Sequence, residues 1–430
     1  MPDSKKILLI GGNYFPEQIG IGKYNSEMTD WFSSQGYDCT VITSYPYYPD
    51  WEIQESYVKS SHWYKTEIAP GKDENSKSIK IYRCPQYTPS NPSGMKRMIL
   101  DFTFFMSALM VVIKLLFAKR YDYVITVVPS FMVGLLAILY KRFKNARFVY
   151  HIQDLQIDAA KEMGMIKSPR LINFLFKIEN YILKKADIVS TISEGMINKM
   201  KRKSTKDILL FPNWVDTSKY FPIPEKNELK PIFNFKKTDK VILYSGAIGN
   251  KQGLEVILQA ASALRIHSDI KFVICGSGPY QRVLKDKARA LALHNLFFLK
   301  LQPADKFNQF LNMADIHLVI QKENASDLVM PSKLSTILSI GGLAIITAPP
   351  NSSLFETVSK NKMSILIEPE NHELLEKTIL DTLYSDNRQL RHNAFKYANK
   401  YLGKELILTN FLNHLMQPVN SEVSEQFVSS

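Results

Sequence analysis

Short apolar runs, rich in β-branched residues, alternate along this chain with segments of helical periodicity. Near-continuous apolar strands that alternate with helices are typical of a parallel sheet covered on both faces. The alternation occurs twice, and residues 217–239 between the two series show no clear period. The first series of runs is Ile7–Ile10, Cys39–Thr43, Ile79–Arg83, Tyr123–Val128, Arg147–His151, Ile188–Thr191 and Ile208–Phe211, and the second is Val241–Tyr244, Phe272–Cys275, Leu296–Leu299, Ile316–Ile320, Leu343–Ile346 and Ser364–Ile367.

We therefore predict an α/β protein with two Rossmann-like, doubly wound parallel-sheet domains that face a cleft. The N-terminal domain is expected over residues 1–216, a linker over 217–239 and the C-terminal domain over 240–387. Helical periodicity over 388–416 predicts helices that pack back toward the N-terminal domain, and residues 417–430 have the composition of a frayed tail. In sheets of this kind, ligands bind outside the carboxyl ends of the strands.

Composition narrows the expected partners and compartment. The chain of 430 residues carries a net charge of +13, which favours an anionic partner. No Cys/His finger, RNP-like aromatic strand or arginine-rich arm occurs in the sequence, so nucleic acid is not the expected partner. The cysteines Cys39, Cys84 and Cys275 are odd in number and widely spaced, which predicts neither a disulfide framework nor a zinc site. The N-terminal segment has the pattern of a first strand rather than a signal peptide, and we expect a cytoplasmic protein.

Two strongly apolar runs raise the question of a membrane. Phe102–Arg120 is interrupted by Lys114, and Phe131–Phe143 is shorter, so neither has the ~20 apolar residues that a spanning helix needs. One interpretation is a pair of helices buried on a sheet. The other is a surface that dips into a bilayer, beside cations that suit anionic headgroups, namely Lys96, Arg97, Lys119, Arg120, Lys141, Arg142 and Lys144.

Three loops of the second half, each at the end of a predicted strand, suit a diphosphate. Glycines follow Tyr244 and Cys275, where they let the backbone approach a ligand. Pro331 opens a helix whose free N–H groups and positive dipole end favour anions. No Asp-x-Asp metal signature accompanies these loops, so helix dipoles and lysines are expected to stabilise a leaving diphosphate without a metal. The residues predicted to bind this diphosphate ligand, the donor of a group transfer, are Gly249, Asn250, Lys251, Gly276, Gln321, Ser332, Lys333 and Leu334. Each loop alone is also compatible with an ordinary turn.

The first half has polar and aromatic residues at its own predicted strand ends. A histidine at the position of His151 can hydrogen-bond a sugar hydroxyl or a proton in transfer, and Asp154 or Asp158 can orient an acceptor. Tyr48 and Trp51 can stack on a sugar ring. The alternatives are a histidine satisfied at a strand end, carboxylates that cap a helix or face solvent, and an aromatic loop packed on itself.

A glycine loop, Gly20-Ile21-Gly22-Lys23-Tyr24, follows the first predicted strand. It is not a P-loop, because tyrosine rather than serine or threonine follows the lysine. It also lacks the third glycine of a dinucleotide fingerprint. Its residues alone therefore leave its ligand open.

Taken together, these motifs resemble the GT-B glycosyltransferases of family 4. The resemblance is closer to the bacterial surface-polysaccharide branch that includes colanic-acid fucosyltransferase-type and O-antigen N-acetylfucosamine transferase-type enzymes. It covers nearly the whole chain and rests on the segments NYFPEQIGIGKY, YYPDW, HIQDLQIDAA, GAIGNKQGLE and LVIQKENASDLVMPSKLSTILSIGG.

The resemblance implies a retaining transfer from a UDP- or GDP-sugar, through a front-face, oxocarbenium-like step without a metal or other cofactor. The sugar would be of the L-fucose or N-acetyl-L-fucosamine type. The acceptor would be an undecaprenyl-diphosphate-linked glycan of capsule, O-antigen or exopolysaccharide synthesis, met by a peripheral protein at the anionic inner face of the cytoplasmic membrane. The implied roles are catalytic for His151 and Asp154, donor-binding for Gly20, Ile21 and Gly22, and acceptor-binding for Lys23, Tyr24, Tyr48, Trp51 and Asp158.

The sequence also departs from the family pattern. Gly246 is followed by Ala247 rather than arginine, and Lys251 sits one place early. Leu328 and Thr336 occupy the positions of the paired glutamates, and the nearby Glu323 does not align. We therefore expect backbone groups and Lys333 to supply more of the donor contacts.

Two other functions share this sequence pattern. A GT-B nucleotide-sugar epimerase would need paired acids in its cleft, and it would change the sugar without any acceptor. A non-catalytic, membrane-associated scaffold with a vestigial nucleotide site would agree with the missing glutamates, but it would neither hydrolyse nor transfer a donor.

Overall fold

The structure is a computed structural model that describes residues 4–17, 20–74, 76–162, 165, 166, 168–323 and 331–417. The chain divides into two compact units. The first consists of residues 1–211 and 408–430, and the second of residues 212–407.

The first unit contains an eight-stranded sheet, in the order β3-β4-β2-β1-β5-β6-β7-β8. β3 is antiparallel to β4, and the other neighbours are parallel. The strands are β1 (Lys6–Ile10), β2 (Asp38–Ser44), β3 (Lys65–Ala69), β4 (Ile79–Cys84), β5 (Tyr123–Val128), β6 (Arg147–Ile152), β7 (Ile188–Thr191) and β8 (Ile208–Leu210). The helices between them are α1 (Gly20–Ser34), α2 (Gly94–Leu116), α3 (Val133–Lys144), α4 (Gln156–Glu162), α5 (Pro169–Lys185) and α6 (Glu194–Lys201).

The second unit contains a six-stranded parallel sheet, in the order β11-β10-β9-β12-β13-β14. Its strands are β9 (Lys240–Ser245), β10 (Ile270–Cys275), β11 (Leu296–Leu299), β12 (Ile316–Val319), β13 (Ala344–Thr347) and β14 (Ile365–Ile367). Its helices are α7 (Lys226–Leu229), α8 (Glu255–Ala263), α9 (Gln281–Ala290), α10 (Ala304–Asn312), α11 (Ser332–Ser339), α12 (Ser353–Asn361), α13 (His372–Tyr384) and α14 (Arg388–Tyr397). The chain then passes through a π-helical turn, Ala398–Leu402, to α15 (Lys404–Met416).

Burial explains why the strand sequences are apolar without alternation. Every residue of β5 is buried. In β9, Ile242 and Tyr244 belong to one core cluster, whereas Val241 and Leu243 belong to another. Both faces of each sheet are therefore covered, which requires apolar side chains at successive positions. Each predicted run coincides with an observed strand, and the predicted fold class is confirmed.

The segment 217–239, predicted as a linker, is instead folded onto the second unit. It contains α7 and a short 3-10 helix, Lys230–Phe233. The side chains of Leu229, Phe233 and Phe235 are buried in a core cluster with β9 and α10. The Lys230 ammonium forms an ion pair of 2.9 Å with Asp315. This lysine and the buried apolar side chains thus anchor a segment whose lack of periodicity had suggested a linker.

The C-terminal helices belong to different units. α14 packs against α11 and α12 of the second unit, with Ala394 and Ala398 in the core. From Leu408 onward, α15 belongs to the first unit, where the Phe411 ring stacks on Phe211 with their centroids 3.9 Å apart. The prediction that the helices of residues 388–416 pack back toward the N-terminal domain therefore does not hold for α14, which stays in the second unit.

Candidate functional site

In the second unit, the loops after β9 and β10 are in direct backbone contact. The N–H of Ile248 donates to the carbonyl oxygen of Ser277 at 2.8 Å. A Cβ on Gly276 would lie 1.9 Å from the carbonyl oxygen of Gly246, and a Cβ on Gly278 would lie 2.3 Å from that of Ile248. Any side chain at these positions would force the loops apart. The predicted site residue Gly276 therefore keeps two strand ends together.

Lys333 lies in the first turn of α11, beside these loops. Its ammonium nitrogen is 4.0 Å from the centroid of the Tyr244 ring. It is also 3.7 Å from the place that a Cβ on Gly246 would occupy. Burial lowers the pKa of this lysine to about 7, and no described acidic side chain forms an ion pair with it. A partly desolvated cation without a counter-charge is unfavourable, so this half-buried position suits an anion supplied by a ligand.

The helix start around Lys333 supports only part of the predicted contact. Ser332 is exposed. The N–H of Leu334, however, donates to the carbonyl oxygen of Pro331 at 2.8 Å, and the Leu334 side chain is buried in the core. Leu334 is therefore not available to a ligand, contrary to the prediction. Leu328, at the first glutamate position of the family, lies outside the described residues.

The turn after Gly249 differs in detail from the prediction. The Gly249 N–H donates to Oε1 of Gln252 at 3.0 Å, so this amide is already occupied. The Oδ1 atom of Asn250 accepts from the Lys322 ammonium at 3.2 Å. The side chain of Lys251 lies outside the described part of the structure. Lys322, which no sequence motif distinguished from its neighbours, is the lysine whose side chain is described at this turn.

Gln321 follows the end of β12. Its backbone N–H donates to Oγ1 of Thr347 at 2.8 Å, and the Thr347 hydroxyl donates back to the Gln321 carbonyl at 2.9 Å. The Nε2 atom of Gln321 is buried without an acceptor among the described residues. An orphaned amide donor at a strand end is consistent with the predicted ligand contact of Gln321.

In the first unit, a buried glutamate organises the predicted glycine loop. Oε1 of Glu17 accepts from the backbone N–H groups of Tyr47 and Tyr48, both at 2.9 Å. A Cβ on Gly22 would lie 2.8 Å from the Glu17 side chain. Gly22 is buried and makes room for this carboxylate, so its donor-binding role is not supported. Gly20 is exposed at the start of α1, where its φ of +62° favours glycine.

The predicted aromatic residues do lie together. The Tyr48 and Trp51 rings are 6.4 Å apart between centroids, and the guanidinium of Arg97 lies 4.9 Å from the Trp51 ring. Tyr48 is 38% exposed, so one aromatic surface is open to a ligand. The hydrogen bonds from Tyr47 and Tyr48 to Glu17 hold this loop in place. The sequence did not indicate this role of Glu17, because a buried carboxylate produces no periodic pattern.

His151 is located within β6 rather than beyond it. It is 2% exposed, its Nδ1 lies 3.0 Å from the Ser190 hydroxyl, and its ring packs edge-on against Phe211. Burial lowers the pKa of His151 to about 3. The imidazole is therefore neutral at physiological pH, and its predicted role is limited to hydrogen bonding. Asp154 is exposed just after this strand.

Three predicted acceptor residues make contacts inside the protein. Asp158 forms an ion pair with Lys203, which also pairs with Glu179, so its carboxylate serves the packing of α4. Tyr24 is buried and cannot present its ring to an acceptor. The ammonium nitrogen of Lys23 lies 4.0 Å from Oε1 of Glu27, one turn further along α1. The half-buried Ile21, assigned to the donor, lies in the same helix.

Asp101 on α2 is a half-buried carboxylate, bound within the first unit, that the sequence did not indicate. Its carboxylate accepts a hydrogen bond from Nε2 of Gln156, whose Oε1 in turn accepts from the N–H of Ser130 at 3.1 Å. Burial raises the pKa of Asp101 to about 6. This chain of contacts joins α2 to the ends of β5 and β6. The only feature of the sequence that could have pointed to Asp101 is its position as an acidic residue next to the apolar run that begins at Phe102.

Asp101→Asn should stabilise the protein at neutral pH. The folded-state pKa lies above the ordinary value, so ionisation opposes folding, and wild-type stability falls as the pH rises from about 4 to 6. Asparagine keeps an acceptor for Gln156 and does not ionise. We expect a gain of up to about 3 kcal/mol above pH 6 and none below pH 4. Thermal unfolding at pH 8 and below pH 4 measures this gain in stability, and Asp381→Asn, at an exposed residue, is the control. If Asp101→Asn is no more stable than wild type at pH 8, the raised pKa of Asp101 is wrong.

Within the described ranges, no group of three or more His, Cys, Asp or Glu side chains is placed to hold a metal ion.

Comparisons with protein families cover both units. Residues 225–401 match the family described as "Glycosyl transferases group 1". Residues 20–214 match the family described as "Glycosyl transferase 4-like domain".

One curated relative matches almost end to end. The chain is 36% identical over 423 residues to the putative colanic acid biosynthesis glycosyl transferase WcaI of Escherichia coli (strain K12), with 95% of this chain and 99% of the relative covered.

Solved structures share the fold at low identity. The sucrose-phosphate synthase of Thermosynechococcus elongatus superposes with a TM-score of 0.72 at 15% identity, over 95% of this chain and 98% of that one. Anabaena Alr3699/HepE, in complex with UDP and glucose, has a TM-score of 0.65 at 12% identity, over 96% of this chain and 99% of that one.

Proposed function

Since the chain belongs to the family-4 glycosyltransferases of the GT-B fold, we propose that it transfers a sugar from a nucleoside-diphosphate donor to a lipid-linked glycan. The observation that carries the proposed donor site is the half-buried Lys333, whose ammonium has a lowered pKa and lacks a counter-charge among the described residues. The 36% identity to a putative colanic acid transferase supports a place in bacterial surface-polysaccharide synthesis. From the resemblance of its sequence motifs to fucose-type transferases, we further propose that the sugar is of the L-fucose or N-acetyl-L-fucosamine type.

The donor would lie at the carboxyl ends of the second sheet. The Lys333 ammonium, at the start of α11, lies beside Gly246, which has no side chain to block a diphosphate. The positive end of the α11 dipole also favours an anion at this position. Lys322 adds a second cation at the Asn250 turn. HepE, whose structure contains UDP and glucose, shares this fold. A UDP- or GDP-sugar is the ligand class that these groups suit.

The proposed reaction retains the configuration of the sugar. The bond between the anomeric carbon and a diphosphate oxygen breaks, and the acceptor hydroxyl oxygen forms a bond to the same face of that carbon. The hydroxyl proton passes to the departing diphosphate oxygen. Protonated Lys333 offsets the negative charge that develops on the diphosphate, as preorganised donors do in other group transfers. On the acceptor side, His151 is neutral and can form a hydrogen bond but no ion pair.

The acceptor half rests on the first unit. Tyr48, Trp51 and Arg97 form an open aromatic and cationic surface that suits a sugar ring beside a phosphate. An undecaprenyl-diphosphate-linked glycan has this chemistry. Such an acceptor would hold the protein peripherally at the inner face of the cytoplasmic membrane, in agreement with its net charge of +13.

Thermal unfolding with UDP-, GDP- and dTDP-sugars in the presence of EDTA tests the donor site. A ligand at 100 times its Kd stabilises the folded state by about 2.7 kcal/mol, so sugars of one base should raise the melting temperature clearly. The matching nucleoside without phosphates is the control, because it cannot engage Lys333. If no nucleotide sugar stabilises the protein, or if stabilisation requires a divalent cation, the proposal is wrong. Conversion of a bound sugar without any acceptor would indicate an epimerase instead.

A further inference from the structure

The outer face of α2 carries an uninterrupted stripe of exposed apolar side chains. Successive members are three or four positions apart, which aligns them along one side of a helix. Their exposed fractions run from 38% to 88%. The stripe consists of Met95, Ile99, Phe102, Met106, Met110, Ile113 and the C-cap residue Phe117.

The opposite face of α2 is part of the folded core. Phe104, Ala108 and Val112 are buried, and the helix packs against β2, β4 and α3. By length and composition α2 could cross a membrane, yet a third of its apolar window (33%) is buried inside the first unit. Spanning would strip this helix from the sheet. A helix that keeps its inner contacts can only lie along a membrane surface.

The charges around the stripe indicate which surface it meets. Lys96 lies at its N-terminal end, and exposed Lys114, Lys119 and Arg120 lie at its C-terminal end. The only acid within α2 is Asp101, which faces inward and is bound by Gln156. Apolar side chains flanked by cations, without exposed acids, are complementary to acyl chains beneath anionic headgroups.

We propose that the α2 stripe is a membrane-docking surface, which inserts its apolar side chains into a bilayer leaflet containing anionic lipids and lies parallel to it. This inference deepens the acceptor half of the proposed function and rests on it. The same helix carries the exposed Arg97, whose guanidinium contacts Trp51 in the loop that also contains Tyr48. A lipid-linked glycan leaving the leaflet at α2 would therefore reach that loop directly.

Flotation of the full chain with vesicles tests the surface without any nucleotide or acceptor. Wild type should float with phosphatidylcholine–phosphatidylglycerol vesicles and much less with phosphatidylcholine alone. The triple variant Phe102→Glu, Met106→Glu, Met110→Glu should lose binding by about tenfold or more. Ile266→Glu, at a residue 81% exposed on the second unit, is the matched control and should bind like wild type. Equal binding of the triple variant, or equal binding to neutral vesicles, would overturn the proposal.

A second measurement separates docking from self-association and misfolding. Cys39, Cys84 and Cys275 are buried, so a cysteine placed by Met110→Cys can be labelled with an environment-sensitive dye. Its emission should shift to the blue on anionic vesicles, whereas a dye at Ile266→Cys should not. Nucleotide binding in solution should be unchanged in the triple variant, which distinguishes failure of docking from failure of the donor site. If light scattering shows a wild-type dimer that the triple variant abolishes, with no blue shift on vesicles, the stripe is a contact between copies and the inference fails.

Discussion

Replacing Lys333 with methionine is expected to weaken the binding of a nucleoside diphosphate by about 10- to 100-fold, which corresponds to the ~1.5–3 kcal/mol of a hydrogen bond to a charged group. The same change should stabilise the empty protein. The half-buried lysine holds its ammonium over the Tyr244 ring without a described counter-charge, and methionine fills similar space without a charge to desolvate. Opposite signs on affinity and stability would separate a ligand-binding lysine from a structural one.

The pH dependence follows from the same pKa of about 7. Because the pKa of Lys333 is lower in the folded than in the unfolded state, protonation opposes folding, and the stability advantage of the variant is largest below pH 7. A diphosphate binds the protonated form, so wild-type affinity should fall as the pH rises above 7. Binding at pH 8 should then take up a proton.

Calorimetry in two buffers of different ionisation enthalpy measures this proton uptake directly. Lys306→Met, at an exposed lysine of α10, provides the control for the loss of one positive charge. If Lys333→Met binds the nucleotide as tightly as wild type, with the same proton uptake, Lys333 does not hold the phosphates.

Asp315→Ala should destabilise the second unit by about 3–5 kcal/mol, because it leaves a buried charge unpaired. The Asp315 carboxylate accepts from the Lys226 and Lys230 ammonium groups, each at 2.9 Å, and from the Val241 N–H at 2.8 Å. Lys230 is 1% exposed. Burial alone would raise the pKa of Asp315, but the two lysines outweigh it and the pKa is lowered.

Unfolding followed by fluorescence measures the effect of Asp315→Ala. Glu228→Ala, which removes the exposed partner of Lys237, is the matched control and should cost well under about 1 kcal/mol. A loss for Asp315→Ala no larger than that of the control would show that the segment 217–239 is held by its apolar contacts alone.

The sequence was informative about the fold wherever burial is continuous along a strand. β5 and β9 are covered on both faces, so their residues are apolar at every step and could be recognised without a structure. β3 was missed, because this edge strand is mostly exposed and lacks an apolar run. The segment containing Lys226 and Lys230 was misassigned since sequence alone does not show that a lysine has a buried carboxylate partner.

The site was less predictable, because its chemistry depends on contacts between distant residues. Glycine positions after the strands were recognisable, yet Gly22 and Gly276 make room for neighbouring parts of the protein rather than for a ligand. Glu17 and Asp101 were not identified, since their burial comes from partners far along the chain. Lys333 was named from its place at a helix start, but its isolation and lowered pKa required the structure.

The path of the chain has a practical consequence for dissection of the protein. Val215 and Gly403 form a parallel bridge, with the Val215 N–H donating to the Leu402 carbonyl at 2.8 Å, so the chain enters and leaves the second unit side by side. Residues 212–407 are thus a natural cassette for separate expression. A fragment ending at Phe211 would lack Phe411 and the tether from Arg147 to the Leu415 carbonyl, so the amino-terminal half should be produced with residues 408–417 grafted back through a short connector.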